Sequence, residues 1–322
     1  MADSRNKPVT EAVVQAVVAC LARHASPDQA VTVGFSGGLD STVLLHAASR
    51  VASDATLTLD AIHVHHGLSG NADSWADSCA KFCTSLDIPL TVLRVDVPRQ
   101  SGEGLEAASR RMRHKALTDQ SVGRILLAHH ADDQAETVLH NLLRGTGVRG
   151  AAAIPQSRGR ILRPLLGLGR AALLDYAATH HLEWIEDESN CDIHYTRNFL
   201  RCEILPAIGS RFPRASEQLA AAAGHFSEAD SLLDELAVMD LGGSNPEFPL
   251  PLRLFRSLSD ARARNLLRAM LGWYGVQPPD ERRLKEFVRQ LQTAGMDRHP
   301  RIDLPRYSLW YEAGDLHFKV PD

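Results

Sequence analysis

One short segment constrains this chain more than any other: Ser-Gly-Gly-Leu-Asp-Ser at residues 36–41. An apolar run precedes it and an amphipathic run follows it, so the pattern predicts a strand, a glycine turn and a helix. Adjacent glycines let backbone N–H groups approach an anion, and the helix N-terminus adds unpaired N–H groups and partial positive charge. We therefore predict a phosphate-binding loop, called the glycine loop below. Its residues are Ser36, Gly37, Gly38, Leu39, Asp40 and Ser41.

The chemistry of the glycine loop differs from that of kinase-type phosphate loops. Those loops carry a lysine after the glycines, whereas here Leu39 and Asp40 follow. A carboxylate beside bound phosphates is favourable mainly when a cation such as Mg²⁺ lies between them. Asp40 is therefore a candidate Mg²⁺ ligand. The alternative is a glycine-rich turn that binds nothing.

Strands and helices alternate through the first two thirds of the chain. This order predicts an α/β fold with an open, mostly parallel, doubly wound sheet in a catalytic domain, residues 1–214. The remaining residues, 215–322, predict a smaller, mainly helical domain that ends in a β-hairpin. The predicted strands are residues 31–35, 57–64, 90–97 and 124–128, and the helices between them are residues 41–52, 72–86 and 106–120.

A second chemical cluster, residues 129–137, follows the strand predicted at 124–128. Open α/β sheets bind ligands at the edge where parallel strands end, so this cluster should face the same edge as the glycine loop. Asp132 and Glu136 are four residues apart and share a helix face, where like charges repel unless a cation lies between them. Mg²⁺ or the ammonium group of a substrate could be this cation. The alternative is a helix start that favours acids through its dipole.

Other patterns carry weaker signals. The three histidines His63, His65 and His66 could suggest zinc, but no carboxylate or cysteine completes a set. The glycines of residues 145–150 match a dinucleotide-binding pattern but follow a helix instead of a strand. Arg110 and Arg113 are three apart on one predicted helix face and could hold phosphates, or form a solvated basic face.

Charge and composition narrow the class of protein. The net charge is −4, yet residues 94–214 and 251–322 are both net positive, and arginine provides most of the basic charge. This pattern allows RNA binding, with Arg262, Arg264 and Arg268 as candidate contacts. We expect no membrane span and no signal peptide. The scattered cysteines favour a reducing, cytoplasmic location.

Taken together, the motifs resemble the tRNA(Ile)-lysidine synthetase family of PP-loop ATP pyrophosphatases. They occur in family order between residues 31 and 206 and become weaker beyond residue 215. The matching residues are the glycine loop; His63, Val64, His66, Gly67 and Leu68; Glu106, Ala107, Arg110 and Arg113; His130 with residues 132–137; residues 144–147; residues 163–166; and Asp187, Ser189, Asn190, Arg197, Asn198 and Arg201. His65 and Ser69 depart from the family pattern.

The resemblance implies an enzyme that uses ATP and Mg²⁺ to join free L-lysine to carbon 2 of the wobble cytidine of a tRNA(Ile) with a CAU anticodon. The reaction passes through an adenylated tRNA and releases pyrophosphate and AMP. Such an enzyme is expected to act in the cytoplasm as a monomer or a homodimer. Alternatives are another PP-loop tRNA-modifying enzyme, such as a thiolase, or a non-catalytic ATP-binding protein.

The resemblance also implies roles for individual residues. The glycine loop binds pyrophosphate, and Asp40 and Asp133 hold Mg²⁺. The implied catalytic residues are Asp40, Arg110, Arg113, His130, Asp133 and Glu136. The implied substrate-binding residues are Asp132, Asp187, Asn190 and Arg197.

Overall fold

A computed structural model describes residues 7–26, 28–55, 57–67, 70–96, 105–186, 196–243, 245–293 and 299–321 of the chain. Packing divides the chain into two compact units, Met1–Ser227 and Glu228–Asp322. The boundary lies inside a helix, α10 (Ala215–Asp240), whose first residue is the start of the second domain predicted from the sequence. Among the described residues, no helix combines the length and the apolar character needed to cross a membrane.

The first unit is built on a six-stranded sheet with the order β3-β2-β1-β4-β6-β5. All neighbouring strands are parallel except β5 and β6, which pair antiparallel at the edge. The chain leaves β1 toward β2 on one side and returns as β4 on the other, so the crevice for a ligand opens between β1 and β4. The strands are β1 (Ala30–Gly34), β2 (Thr58–His65), β3 (Leu90–Arg94), β4 (Arg124–Leu126), β5 (Ser157–Arg158) and β6 (Ile161–Leu162).

Helices accompany this sheet, and the predicted α/β fold is confirmed. The strands are apolar runs, and Val31, Val33 and Leu126 are at most 1% exposed. Strands of parallel sheets are apolar because helices cover both faces of such sheets. The helices are α1 (Lys7–His24), α2 (Leu39–Ala55), α3 (Ala72–Ser85), α4 (Leu105–Gln120), α5 (Ala131–Leu143), α6 (Val148–Ala151), α7 (Arg170–Thr179), α8 (Thr196–Phe199) and α9 (Leu205–Arg211), with a π-helical turn at Leu200–Ile204.

The second unit packs helices against a four-stranded antiparallel sheet with the order β7-β10-β9-β8. Its core includes Phe255, Leu267 and Leu309, each fully buried. The predicted terminal hairpin is present as β9 and β10, and its turn residues Ala313 and Gly314 both have positive φ angles. The elements are β7 (Leu250–Pro251), α11 (Leu252–Ser257), α12 (Asp260–Trp273), α13 (Glu281–Thr293), β8 (Arg301–Leu304), β9 (Tyr307–Glu312) and β10 (Asp315–Lys319).

Candidate active site

The glycine loop joins the carboxyl end of β1 to the start of α2, and its two serines hold its shape. Ser36 donates its backbone N–H to Ser41 Oγ over 3.2 Å, and the two hydroxyl oxygens lie 3.0 Å apart. Ser41 Oγ in turn donates to the carbonyl of Gly38 over 3.0 Å. The loop is therefore pre-organised by its own side chains before any phosphate binds.

The two glycines of the loop have different structural requirements. Gly37 has φ of +84°, and an added Cβ would lie 2.6 Å from Ile185 Cδ1 and 2.9 Å from Cys79 Sγ. Its carbonyl accepts hydrogen bonds from Ile185 N over 2.9 Å and Thr42 Oγ1 over 3.2 Å. A Cβ on Gly38 would have its nearest described neighbour 3.7 Å away. Gly37 is therefore required by packing, whereas the space at Gly38 is open to a ligand.

This difference gives a paired prediction. We expect Gly38→Ala to change the free energy of unfolding by less than about 1 kcal/mol but to weaken ATP binding about tenfold or more, because the methyl group keeps phosphate oxygens from the backbone N–H groups. Gly37→Ala should instead lower stability by about 1–3 kcal/mol through its strained φ. Calorimetric ATP titration and thermal unfolding measure both effects. Parental ATP affinity in Gly38→Ala would show that phosphate does not bind at this position.

His130, the residue before α5, connects the glycine loop to the acidic start of that helix. In the neutral ring, Nδ1 accepts the backbone N–H of Asp132 over 3.2 Å, while the backbone N–H of His130 donates to Asp133 Oδ2 over 3.0 Å, and these two bonds form a capping box. Its Nε2 lies 3.5 Å from Oδ2 of both Asp40 and Asp133. Burial lowers the pKa of His130, but its three carboxylate neighbours outweigh burial and raise the pKa to about 10. In the protonated ring, Nδ1 donates to Asp132 Oδ2, 3.3 Å away.

Asp40 is the carboxylate that best fits a magnesium ion. Its Oδ1 atom is buried and has no hydrogen-bond partner. Both oxygens of Asp133 are engaged, Oδ2 by the backbone of His130 over 3.0 Å and Oδ1 by Arg201 over 3.4 Å. Within the described parts of the chain, no group of three or more acidic, histidine or cysteine side chains has a metal-binding arrangement. A Mg²⁺ held here would take most of its ligands from nucleotide and water, as this ion commonly does.

Asp132 connects α5 to α7. Its Oδ2 accepts the backbone N–H of Arg170 over 2.8 Å. Burial acts to raise the pKa of Asp132, but the hydrogen bonds from His130, Ser216 and Arg170 together hold this pKa well below its usual range. The carboxylate is therefore charged and occupied in the folded protein. Its predicted contact with substrate stays a prediction.

A cation does lie between two carboxylates of α5, and it is an arginine of this chain. Arg201 Nη2 lies 2.7 Å from Glu136 Oε2 and 3.4 Å from Asp133 Oδ1. Arg197 Nε is 3.8 Å from Glu136 Oε1. The Glu136 side chain is only 4% exposed, and burial raises its pKa although Arg201 counteracts this effect. The sequence pattern suggested a cation between Asp132 and Glu136; Asp133 takes that place because Asp132 binds the start of α7.

The two predicted arginines of α4 are both exposed. Arg110 Nη2 lies 3.5 Å from His129 Nε2, so Arg110 reaches the same sheet edge as His130. The predicted residues Asp187 and Asn190 lie outside the described residues. The roles assigned to all four residues stay predictions.

The histidines of β2 have structural partners. His63 Nδ1 lies 3.0 Å from the carbonyl oxygen of Phe35, the residue just before the glycine loop. His65 Nε2 lies 3.2 Å from Asp73 Oδ1 on α3. His63 therefore supports the base of the loop.

Comparison with known proteins identifies the family. A profile of the PP-loop domain matches residues 9–208, and a profile of the TilS substrate binding domain matches residues 250–317. The tRNA(Ile)-lysidine synthase of Alkalilimnicola ehrlichii is 46% identical to this chain, over 90% of the chain and 67% of that protein. The tRNA(Ile)-lysidine synthase of Nitrosomonas europaea is 37% identical over 100% of the chain and 72% of that protein. The chain belongs to the tRNA(Ile)-lysidine synthase family.

Membership of the tRNA(Ile)-lysidine synthase family confirms the resemblance found in the sequence and makes the first unit a PP-loop ATP-binding domain. The chain spans about two thirds of the length of the curated relatives it matches, for example 67%, 65% and 64% of three of them. Among solved structures, the U34-tRNA thiolase NcsA from Methanococcus maripaludis aligns with a TM-score of 0.57 at 17% identity, over 69% of this chain and 80% of that chain. This likeness shows a shared fold.

The sequence patterns of this lysidine synthase family member gave no role to two residues of the site, Arg201 and Ile185. Arg201 pairs with Glu136. The sequence feature that could have indicated this residue is its spacing of four from Arg197, which places both arginines on one helix face. Ile185 bonds to Gly37 through its backbone N–H. Such a contact leaves no mark on residue type, so no sequence pattern could have found it.

Proposed function

We propose that this chain catalyses the ATP-dependent ligation of lysine to carbon 2 of the wobble cytidine of tRNA(Ile). The observation that carries the proposal is the meeting of two chemically different sites at one sheet edge. The glycine loop contains Asp40, whose Oδ1 is buried without a partner, and the first two turns of α5 contain Asp133 and Glu136, a pair that holds a cation. His130 lies between them, 3.5 Å from both Asp40 and Asp133.

In the first step, the carbonyl oxygen on carbon 2 of cytidine attacks the α-phosphorus of ATP, and pyrophosphate leaves. The backbone N–H groups of the glycine loop bind the pyrophosphate and stabilise its growing charge. A Mg²⁺ ion anchored by Asp40 would supply further charge neutralisation on the phosphates. Since no protein nucleophile is needed, positioning and electrostatic stabilisation account for the rate.

In the second step, the lysine side-chain amine attacks carbon 2, the bond from carbon 2 to the AMP oxygen breaks, and AMP leaves. The amine arrives protonated, because its ordinary pKa is about 10.4. Asp133 and Glu136 bind the ammonium group in the position that Arg201 Nη2 occupies in this structure, so Arg201 must move aside. A neighbouring base then accepts the proton that the attacking nitrogen loses.

The experiment that tests this function combines the chain with ATP, Mg²⁺, lysine and a tRNA(Ile) transcript that carries a CAU anticodon. We expect the wobble cytidine to gain the mass of a lysyl group, measured by mass spectrometry after nuclease digestion, with pyrophosphate release that requires the RNA. A thiolase would leave lysine unused and need a sulfur donor. A non-catalytic ATP-binding protein would release no pyrophosphate, and either result would overturn the proposal.

The proposal includes a cytoplasmic location, where ATP, free lysine and tRNA are available together. No disulfide joins the described cysteines Cys20, Cys79, Cys83 and Cys202, which suits a reducing compartment. The active unit is a monomer or a homodimer. Size-exclusion chromatography with light scattering, with and without tRNA, distinguishes these two states.

Glu136→Gln tests the lysine site. We expect the lysine concentration for half-maximal product formation to rise about tenfold or more, because a charged hydrogen bond to the ammonium is lost, while the ATP requirement stays nearly unchanged. The adenylated tRNA should accumulate and be visible by quenched-flow sampling. Glu217→Gln is a matched control, since Glu217 also pairs with an arginine, Arg214, but on the surface. Equal loss of both steps without an intermediate would place Glu136 on the ATP side.

A further inference from the structure

Three arginines and two histidines, from α4, β5 and the segments that follow β4 and β6, lie close enough to influence one another electrostatically. We call them the basic cluster: Arg110, His114, His129, Arg158 and Arg163. In the sheet, Leu126 of β4 is paired with Leu162 of β6, so the segments that carry His129 and Arg163 leave the sheet side by side. Arg110 reaches this point from α4, with its Nη2 3.5 Å from His129 Nε2.

Arg163 is the unusual member of the basic cluster, because it is a buried cation. It is 7% exposed, and it donates a hydrogen bond from Nη1 to the carbonyl of Pro155 over 2.8 Å. Its Nε is buried without a partner, and so is Nδ1 of His129. Burial, together with Arg110 and Arg158, lowers the pKa of Arg163 to about 10. Buried cations in proteins are normally paired with an anion, and no carboxylate of the described residues forms an ion pair with Arg163.

The carboxylates near the basic cluster do not supply that anion. Asp133 interacts electrostatically with His129, and Glu136 with Arg110, but both carboxylates already share Arg201 as their hydrogen-bonded partner. The arginines of the second unit that were predicted to contact RNA already have carboxylate partners. Arg262 pairs with Asp240, and Arg264 and Arg268 pair with Glu281.

We propose that the basic cluster is a phosphate subsite, separate from the glycine loop, that binds a backbone phosphodiester of the RNA substrate. Guanidinium groups match phosphate oxygens in geometry and charge, and a buried arginine loses little conformational freedom on binding. The choice of RNA as the source of the phosphate rests on the proposed function, because the glycine loop already accounts for the pyrophosphate of ATP. The subsite itself does not depend on that choice.

Binding measurements on the unreacted protein test this subsite. The variants Arg158→Gln and Arg163→Gln are compared with Lys115→Gln, a control on α4 that removes the same charge from a side chain paired with Asp119. We expect each arginine variant to bind a tRNA(Ile) transcript about tenfold more weakly without ATP. The slope of log affinity against log salt should fall by about one per arginine removed. ATP affinity without RNA should stay at the parental value.

The outcomes separate the two sources of phosphate. A fall in ATP or pyrophosphate affinity with unchanged RNA affinity would keep the phosphate subsite but assign it to the nucleotide. Variants that match Lys115→Gln with every probe would overturn the subsite. Arg158 is exposed, so Arg158→Gln carries the test if Arg163→Gln fails to fold. Lysidine formation is not measured here, so failure of the proposed function and failure of the subsite remain distinguishable.

Discussion

Replacing Asp40 by asparagine is expected to reduce adenylation of the RNA by about 10²–10³-fold or more, the loss typical when one preorganised electrostatic group is removed from a reaction centre. The reason lies in Oδ1, a buried carboxylate oxygen without a partner at the mouth of the glycine loop. Asparagine keeps the shape but supplies no charge to hold a cation beside the phosphates. Release of radiolabelled pyrophosphate in a single turnover measures the effect.

The folded state should tolerate this change. A carboxylate in the first turn of a helix contributes about 0.3–1 kcal/mol through the helix dipole, and the contact of Asp40 with His130 is long, at 3.5 Å. Asp73→Asn is the matched control, because Asp73 lies in the first turn of α3 and pairs with Arg94 of β3, the edge strand beyond β2. We expect that variant to keep its activity. An Asp40→Asn enzyme with activity within threefold of the parent would remove Asp40 from the reaction.

Replacing Arg201 by glutamine should destabilise the first unit strongly. The Glu136 side chain is 4% exposed, and this change leaves its carboxylate buried without its main partner. Breaking such a pair costs about 3–5 kcal/mol, and we expect about 3 kcal/mol here because Arg201 itself is half-exposed. Glu136→Gln should cost less, about 1 kcal/mol, since water can hydrate the guanidinium that remains. Urea unfolding compares the two variants, with Arg201→Lys as the charge-preserving control.

The pH dependence of this loss has a definite sign. Burial raises the pKa of Glu136 above its ordinary value of 4.5, so the folded state holds this proton more tightly than the unfolded state. This group therefore makes stability fall as pH rises from about 4.5 through the raised pKa. Removing Arg201 raises that pKa further. The stability gap between parent and Arg201→Gln should thus widen as pH rises from 4.5, and a gap that narrows instead would contradict the buried-pair account.

The glycine loop and α5 could be predicted from the sequence because their signals are local. A strand, two glycines and a helix specify the loop within a dozen residues, and parallel strands place the end of β4 beside the end of β1. Strand β8 was not predicted, because it has only four residues, Arg301–Leu304, and a proline stands at each side of it. Prolines of this kind are tolerated at a sheet edge, where β8 lies.

The partners of the acidic side chains could not be predicted, because they depend on long-range packing. Arg201 and Glu136 are 65 residues apart, and nothing in either local pattern points to the other. The burial of Arg163 depends in the same way on how β5 and β6 join the sheet. Sequence patterns therefore locate the reacting groups, but only the folded chain shows which of them are already paired.

The bond between Ile185 and Gly37 has a consequence for how this protein is made. Gly37 is synthesised early, but its carbonyl receives the Ile185 N–H only after α7 has left the ribosome and packed against α1 and α2. Contacts between such distant residues form late in folding. A nascent chain that ends before residue 185 thus has a phosphate loop without its underlying support, and nucleotide binding would report that the chain has been made and folded as far as Ile185.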